Sequence, residues 1–280
     1  MSDVVLEARE VSMQYPGTLA LDGATFRLVR GTVSALIGEN GAGKSTLVRI
    51  LGGIERPTSG HLYADGREIV LHSVRDADAH DIGIIHQELN LCPNLSVAEN
   101  IFLGHELSTR GILNRARQEE RARELMALLE HPINPSALVG DLPLGRQQIV
   151  EIAKALARDV RVLMMDEPTS ALSAAEVAVL FRIIRQLTSR GVAIVYISHR
   201  LEELLEIADS VSILRDGRMV AEAPAKDVSA AWIVERMTGR PTSAAAGMGG
   251  QTALSTRKDR LGHRSQSPVS ISELSIPIRR

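Results

Sequence analysis

A glycine-rich segment ending in a lysine and two hydroxyl residues has the composition of a phosphate-binding loop. It consists of Gly38, Glu39, Asn40, Gly41, Ala42, Gly43, Lys44, Ser45 and Thr46. A strand-like apolar run precedes it and a helix-like run follows, which is the setting that the motif G-x-x-x-x-G-K-S/T requires. The glycines let successive backbone N–H groups point inward, beside the positive end of the following helix. We therefore expect a nucleoside triphosphate here, with Lys44 on its β- and γ-phosphates and Ser45 on Mg²⁺.

Two adjacent carboxylates, Asp166 and Glu167, follow the apolar run 162–165. In open parallel sheets, ligands bind beyond the carboxyl ends of the strands, so the pair suits a magnesium–nucleotide site. Asp166 would hold Mg²⁺ directly or through water, and Glu167 would orient or deprotonate the attacking water. Taken alone, the pair could also be a turn or a helix cap.

Gln87 and His199 also follow apolar runs, at 82–85 and 192–197. In isolation, Gln87 could be an ordinary loop residue and His199 a hydrogen-bonded histidine at a strand end. If the strands lie in one sheet, however, both residues reach the same edge as Lys44 and the carboxylate pair. The sequence predicts this convergence.

The pattern of elements predicts an α/β fold. The apolar runs at 162–165 and 192–197 are typical of buried strands in a parallel sheet covered on both faces. A capping box at Ser173 and Glu176 begins the helix between them. The first 30 residues alternate like a small sheet.

Residues 97–130 have a helical pattern, in which 114–130 form an amphipathic helix. A second helix is expected from about Gly145 to Ala157. Earlier in the chain, Asp65-Gly66 predicts a hairpin.

Composition excludes several classes of protein. The 280 residues are 44% hydrophobic and 24% charged, which allows a sizeable globular core in one large domain or two small ones. A net charge of −2, with aromatics at 2%, argues against nucleic-acid binding. The only cysteine, Cys92, excludes an internal disulfide and a cysteine-based zinc site. No apolar run approaches the roughly 18 residues of a membrane span and no signal pattern is visible, so a cytoplasmic chain is expected.

The character of the chain changes after Arg240. Residues 241–268 are rich in Ser, Ala, Gly, Gln and Arg without periodicity, which predicts a flexible linker. Residues 269–276 repeat the apolar spacing of 6–13, with Glu273 matching Glu10. We expect one domain at 1–240, a linker at 241–268, and at 269–280 the first strand of a second copy.

Across residues 4–240 the chain resembles the ATPase subunits of ATP-binding cassette (ABC) transporters, which are P-loop NTPases. Besides the phosphate loop and the carboxylate pair, the resemblance rests on the signature segment 142–148, the D-loop segment 170–173 and His199. It implies a mainly parallel sheet core, an antiparallel β subdomain and an inserted helical subdomain at about 97–157.

The resemblance also implies roles for single residues, with ATP and Mg²⁺ as the ligands. Tyr15 would stack on adenine, although core packing is an alternative for that ring. Gln87 would sense Mg²⁺ and contact the membrane subunit, and His199 would contact the γ-phosphate. Gly145 in the signature segment would face the nucleotide bound by an opposite cassette.

Residues 94–104, 149–156 and 237–240 are similar to the import ATPases for monosaccharides of the ribose, galactose and xylose type. Members of that subfamily carry two cassettes in one polypeptide, so we expect this chain to be the N-terminal one, cut after the first strand of the second. The implied function is ATP hydrolysis that energises sugar import from the inner face of the cell membrane. The implied partners are a second cassette, in tandem or as a dimer, a sugar permease and, indirectly, an extracytoplasmic sugar-binding protein.

The signature segment departs from the family pattern. Pro143 stands where a serine hydroxyl normally reaches the γ-phosphate in the opposite cassette, and Arg146 replaces a glutamine. Losing a hydrogen bond to a charged phosphate could cost about 1.5–3 kcal/mol. In a tandem arrangement only the partner's site would be affected, whereas in a homodimer both would be.

Other functions remain open at this point. The chain could be a non-transport ABC module acting on ribosomes or DNA, although such proteins normally carry long insertions that are not visible here. It could also be a cassette that binds ATP with little hydrolysis alone. A P-loop kinase would leave the signature segment and His199 without a role. The sequence does not name the sugar.

Overall fold

The computed structural model describes residues 3–109 and 111–239, so the predicted linker at 241–268 and the predicted strand at 269–280 lie outside the described residues. The strands are β1 Val4–Tyr15, β2 Thr18–Val29, β3 Val33–Ile37, β4 Ser59–Ala64, β5 Arg67–Ile69, β6 Ile82–Ile85, β7 Ser108–Thr109, β8 Ile112–Leu113, β9 Val162–Asp166, β10 Ala193–Ile197, β11 Ser210–Arg215 and β12 Arg218–Pro224. The helices are α1 Lys44–Leu51, α2 Val74–Ala79, α3 Val97–Ile101, α4 Arg115–Leu128, α5 Leu144–Leu156, α6 Ala174–Ser189, α7 Leu201–Ile207 and α8 Ala230–Thr238.

A six-stranded sheet in the order β12-β11-β3-β10-β9-β6 forms the centre of the fold. All neighbouring strands in it are parallel except β11 and β12. Strands β3 and β10 are buried along their whole length, which explains why they are continuous apolar runs. The predicted parallel core is confirmed. Because β3, β10, β9 and β6 are parallel neighbours, their carboxyl ends lie at one edge.

Alternate side chains of the central sheet enter two separate cores. Leu36 packs with α1 and the antiparallel strands on one face, whereas Ala35 and Ile37 pack with the helices on the other. Because side chains in a strand alternate between faces, a single apolar strand can supply both cores. The loop after β3 is therefore anchored between two packed layers.

An antiparallel sheet in the order β2-β1-β4-β5 stands beside the central sheet. Its strands β1 and β2 pair over most of their length, with Ala8 opposite Phe26. Strands β4 and β5 are joined at Asp65-Gly66, so the predicted hairpin is confirmed. Within this sheet, β1 ends at Tyr15.

Helices α3, α4 and α5 occupy the region 97–157. The predicted amphipathic helix is confirmed, since Asn114 caps α4 and Ala122, Leu125 and Met126 are buried on one side. The continuous helical pattern predicted for 97–130 is wrong in detail. A hairpin of β7 and β8 interrupts it, and its strand residues are all exposed, so they carry no apolar helical spacing.

In the parts of the chain that the structure describes, none of the helices is both long and apolar enough to cross a bilayer.

Candidate active site

The loop from Gly38 to Gly43 joins the end of β3 to the start of α1. At Gly43, the N-cap of α1, φ is +106°, and a β-carbon would lie 2.5 Å from the carbonyl oxygen of Ala20. Only glycine fits such a position. No side chain caps α1, so its first N–H groups remain available to an anion near the positive end of the helix.

Lys44 folds back across this loop. Its Nζ donates hydrogen bonds to the carbonyl oxygens of Gly38, at 2.7 Å, and Glu39, at 3.0 Å. Burial lowers the pKa of Lys44, while Asp166 and Glu167 oppose that shift. The ammonium group of Lys44 therefore lies at the phosphate loop, close enough to Asp166 and Glu167 to interact with both carboxylates.

Asp166 ends β9 beside Ser45 of the phosphate loop. Burial raises the pKa of Asp166, and the neighbouring charge of Glu167 raises it further, whereas Lys44, Arg49 and a hydrogen bond with Ser45 lower it. A hydroxyl and a carboxylate are ligands that Mg²⁺ accepts, and a divalent cation would relieve the repulsion between the carboxylates. The residues present therefore fit Mg²⁺. Within 3–109 and 111–239, no group of three or more His, Cys, Asp or Glu side chains is placed to hold a metal ion.

Glu167 stands at the centre of the group of predicted residues. Its Oε2 lies 3.3 Å from Nδ1 of His199 and 3.5 Å from Nε2 of Gln87. The ends of β6, β9 and β10 thus bring these three side chains together, as the sequence predicts. The side chain of Glu167 is 24% exposed and that of His199 is 66% exposed, so the pair is open to a ligand.

The backbone of Glu167 is strained, because its φ is +49° in a residue other than glycine. Such a conformation costs about 1–3 kcal/mol and persists only where the surroundings hold it. One contact that holds it is the hydrogen bond from the N–H of Glu167 to the carbonyl oxygen of Ile197, at 2.9 Å.

Tyr15 lies half-buried at the end of β1, near the far end of the phosphate loop. Its hydroxyl donates to the carboxylate of Glu55, which in turn lies 3.4 Å from Nη1 of Arg49. Burial raises the pKa of Tyr15 and the contact with Glu55 adds to it, whereas a hydrogen bond with Thr46 opposes it. The ring therefore stands beside the phosphate loop rather than in the core.

The remaining residues of the loop differ in exposure. Ala42 is buried, whereas Glu39 and Asn40 are exposed.

The signature segment 142–148 contains the first residues of α5, Leu144–Leu156. Pro143 is the N-cap and makes no side-chain cap, and the side chain of Leu144 projects with a residue exposure of 62%. A β-carbon at Gly145 would lie 3.1 Å from the carbonyl oxygen of Ala171, so this segment adjoins the D-loop segment. The predicted contact of Gly145 with a nucleotide in an opposite cassette stays a prediction.

Sequence reasoning missed a buried polar cluster directly behind the site. Glu203 on α7 accepts hydrogen bonds from Thr169 and Tyr196, at 2.8 and 3.1 Å. In the sequence, Glu202 and Glu203 are adjacent acids in the first turn of a helix, and nothing distinguishes the buried one from the exposed one.

The chain matches the family model described as ABC transporter over residues 21–170. It is 46% identical over 236 residues to a ribose import ATP-binding protein of Rubrobacter xylanophilus, covering 84% of this chain and 48% of the relative. A ribose import ATP-binding protein of Rhodopirellula baltica is 48% identical over 239 residues, covering 85% of this chain and 47% of the relative. The chain spans about half the length of the curated relatives it matches.

Solved structures with a similar fold include cbiO1 of Clostridium perfringens, part of an ABC transporter complex. It is 27% identical, with a TM-score of 0.69, over 84% of this chain and 94% of that one. A dimeric ATP-binding cassette in a post-hydrolysis state, bound to ADP and Pi, is 25% identical with a TM-score of 0.70. That match covers 79% of this chain and 98% of the other.

Proposed function

The chain belongs to the ABC transporter family, and from that membership we propose that it binds and hydrolyses ATP to energise the import of a monosaccharide through a membrane permease. The main observation in support of the proposal is that the side chains of Gln87, Glu167 and His199 lie close together beside the phosphate loop. The names of its relatives, ribose import ATP-binding proteins, support the sugar as cargo.

In the proposed mechanism the chain's own residues bind, orient and neutralise the phosphates. Lys44 and the uncapped start of α1 would bind the β- and γ-phosphates. Ser45, Asp166 and Gln87 would hold Mg²⁺, which when bound supplies charge neutralisation on the phosphate oxygens.

Glu167 would then position the attacking water and accept its proton. His199 would contact the γ-phosphate, and Tyr15 would stack on adenine.

A second cassette would complete the arrangement. Two cassettes would enclose two nucleotides and close, and hydrolysis would reopen them. The uncapped, exposed start of α5, with Gly145 in its first turn, suits a phosphate bound by the other cassette. Pro143 and Arg146 would weaken that opposite site, because the hydroxyl that normally reaches the phosphate is missing.

A groove beside Gln87 suits contact with a permease. It has a volume of about 400 Å³ and is lined in part by Ile84, His86, Leu91 and Glu151. Glu151 is 4% exposed, burial raises its pKa, and its Oε2 has no hydrogen-bond partner among the described residues. A partner could supply a donor there. His86 also lines the pocket that contains Ser45 and Asp166, so the groove adjoins the nucleotide site.

Calorimetric titration with ATP and MgCl₂ tests the nucleotide part of the proposal. We expect binding to the parent chain and a loss of at least tenfold in affinity for Lys44→Ala, since the lysine supplies the positive charge at the loop. Lys226→Ala, far from the loop in sequence, is the matched control. Absence of ATP binding to the folded parent chain would remove the proposed function entirely.

Uptake of labelled ribose, galactose and xylose tests the transport part. Cells that lack the protein should lose uptake of one of them, and the parent chain expressed together with its cognate second cassette should restore it, whereas the Glu167→Gln chain should not. Co-purification with ribosomes and unchanged uptake would favour a non-transport module. Phosphate transfer to a small molecule would instead indicate a kinase.

A further inference from the structure

One buried carboxylate, Glu203, joins the segments that carry Glu167 and His199. Its Oε2 accepts hydrogen bonds from Oγ1 of Thr169 at 2.8 Å, from the hydroxyl of Tyr196 at 3.1 Å and from Oγ of Ser198 at 3.3 Å. Its Oε1 accepts from Nη1 of Arg200 at 2.9 Å. The four donors come from three parts of the chain: the segment after β9, the end of β10 and the start of α7.

Glu203 and three of its four donors are buried, whereas the side chain of Arg200 is exposed. Thr169 is 2% exposed, Tyr196 is 0% exposed and Ser198 is 6% exposed. Burial raises the pKa of the Tyr196 hydroxyl, and the charge of Glu203 raises it further, so this hydroxyl stays a donor. A carboxylate that accepts several hydrogen bonds in such surroundings is held in one position, because each lost bond would leave a buried polar group unpaired.

The donors lie immediately around the two residues assigned to hydrolysis. Ser198 and Arg200 flank His199, and the N–H of Arg200 also donates to Oγ of Ser198 at 3.0 Å. Thr169 comes two residues after Glu167, whose own N–H is bonded to Ile197. Glu203 is thus hydrogen-bonded both to the segment that follows Glu167 and to the residues on either side of His199.

This arrangement explains how the strained backbone of Glu167 can persist. A left-handed residue must be held by its surroundings. The bond to Ile197 holds Glu167 on one side, and the bond from Thr169 to Glu203 holds the chain just beyond it.

We infer that Glu203 is a positioning residue that fixes the geometry between Glu167 and His199 without touching the nucleotide. The catalytic consequence rests on the proposed ATP hydrolysis, whereas the geometric consequence does not. A displacement of about 1 Å at a reacting group can lower a rate by about a hundredfold, so loosening this cluster should slow hydrolysis while leaving nucleotide binding intact.

The first test compares Glu203→Gln with Glu202→Gln, its exposed neighbour on the same helix. We expect Glu203→Gln to lower kcat about tenfold to a hundredfold with KM for ATP changed less than about threefold. Glu202→Gln should retain the parent values. A parent kcat in a folded Glu203→Gln chain would overturn the inference, and so would losses of kcat and ATP affinity in equal proportion.

The second test uses Thr169, in case Glu203→Gln does not fold. Thr169→Val removes the hydroxyl with little change of shape, and Thr169→Ser restores it. We expect kcat to fall in the valine variant, as in Glu203→Gln, and to return most of the way to the parent value in the serine variant. Combined with Glu203→Gln, the valine change should lower kcat less than it does alone, because Thr169 and Glu203 are the two partners of one hydrogen bond and their effects should not add. Equal activity of the valine and serine variants would contradict the inference.

A third measurement separates this inference from the proposed function. NMR signals of the His199 ring should move in Thr169→Val and Glu203→Gln but not in Glu202→Gln, with or without ATP hydrolysis. If the parent chain hydrolyses no ATP even together with its second cassette, yet these signals move, the proposed function fails and the positioning role stands. If the parent chain hydrolyses ATP and the signals do not move, the positioning role fails alone.

Discussion

The phosphate-loop edge of the central sheet and the signature segment at the start of α5 both present the uncapped N-terminus of a helix, but they differ in how firmly they are held. At the sheet edge, Lys44 is bonded to the loop carbonyls, and Glu167 lies against both Gln87 and His199. Around the signature segment, Pro143 makes no side-chain cap, and Nε2 of Gln147 donates a hydrogen bond to the carbonyl oxygen of Leu142 at 2.8 Å.

The difference indicates which half of a nucleotide site this chain provides by itself. The sheet edge holds even a strained residue, Glu167, because its neighbours follow three other strands of the same sheet, β3, β6 and β10. The signature segment leaves Leu144 and Arg146 exposed and a helix N-terminus unsatisfied. We therefore expect substitutions at the sheet edge to act within the isolated chain, and substitutions at the signature segment to act only on association.

The largest effect should come from Glu167→Gln, which tests whether the sheet edge performs the chemistry. The amide keeps the shape but cannot accept a proton, so we expect ATP hydrolysis to fall by about 10²–10⁴-fold. ATP affinity should be retained, because Lys44 and the loop N–H groups are unchanged. Steady-state hydrolysis and calorimetry measure the two quantities. Glu120→Gln on the exposed side of α4 is the control, and hydrolysis at the parent rate would remove Glu167 from its role.

The rigidity of the loop can be tested with a pair of glycines. At Gly43 an added β-carbon would lie 2.5 Å from a backbone oxygen, at a φ of +106°, whereas at Gly41, with φ +83°, nothing lies within 4 Å. Gly43→Ala should therefore lose about 2 kcal/mol or more of unfolding free energy, which corresponds to at least about 4 °C in Tm, and most ATP affinity.

Gly41→Ala should lose only the cost of the left-handed conformation, about 1–2 kcal/mol. Thermal melts and ATP titrations of both variants measure the difference. Equal losses at the two positions would show that crowding by the neighbouring backbone does not hold the loop.

The sequence predicted the sheet edge well because its signals are local. Glycine spacing marks the loop before α1, and unbroken apolar runs mark β9 and β10, so the positions of Lys44, Asp166 and His199 follow from short stretches of chain. Parallel pairing of those runs then brings their ends together without further information.

Other parts of the site depend on pairings that are far apart in the sequence. Tyr15 meets Glu55 across 40 positions, and Thr169 meets Glu203 across 34. Neither pairing leaves a pattern in the chain. Glu55 lies in a connection between α1 and β4, and either acid in the first turn of α7 would suit the helix dipole equally well. The hairpin at 108–113 was missed for a related reason, because short exposed strands have no apolar periodicity.

A moderate effect is expected from Asp166→Asn. This change tests whether the burial of the Asp166 carboxylate beside Glu167 lowers the free energy of unfolding. Burial and Glu167 raise the pKa of Asp166 in the folded chain, so the folded state binds this proton more tightly than the unfolded state. The charged form of Asp166 therefore lowers the free energy of unfolding. This loss of stability is complete above the raised pKa and disappears as the pH falls below the ordinary pKa of aspartate. Without nucleotide or magnesium, Asp166→Asn should raise Tm at pH 7 to 8 and lose that advantage in acid.

The same variant should lose function while it gains stability. We expect the contribution of magnesium to ATP affinity to fall by about tenfold or more, which is about 1.4 kcal/mol. Melts from pH 3 to 8 and ATP titrations with MgCl₂ or EDTA measure both effects, with the exposed Asp141→Asn as control. A lower Tm for Asp166→Asn at neutral pH would mean that the carboxylate stabilises the folded chain.

The smallest effect, and the one that sharpens the comparison most, is expected from Pro143→Ser. Its backbone angles, φ −57° and ψ 151°, are accessible to serine, so the hydroxyl can cap α5 in the free chain or reach a phosphate across an interface. A cap typically contributes about 1 kcal/mol and the lost rigidity of proline offsets about 0.4–1, so the net gain is about 0.6 kcal/mol or less and Tm should change by no more than about 2 °C. In the Glu167→Gln background, where ATP persists, association measured by sedimentation should tighten about tenfold, or about 1.4 kcal/mol, only when ATP is present.

Pro132→Ser, at an exposed proline outside the segment, should change neither quantity. If Pro143→Ser tightens association equally without ATP, the signature segment acts through protein contacts and not through a phosphate held by the opposite cassette.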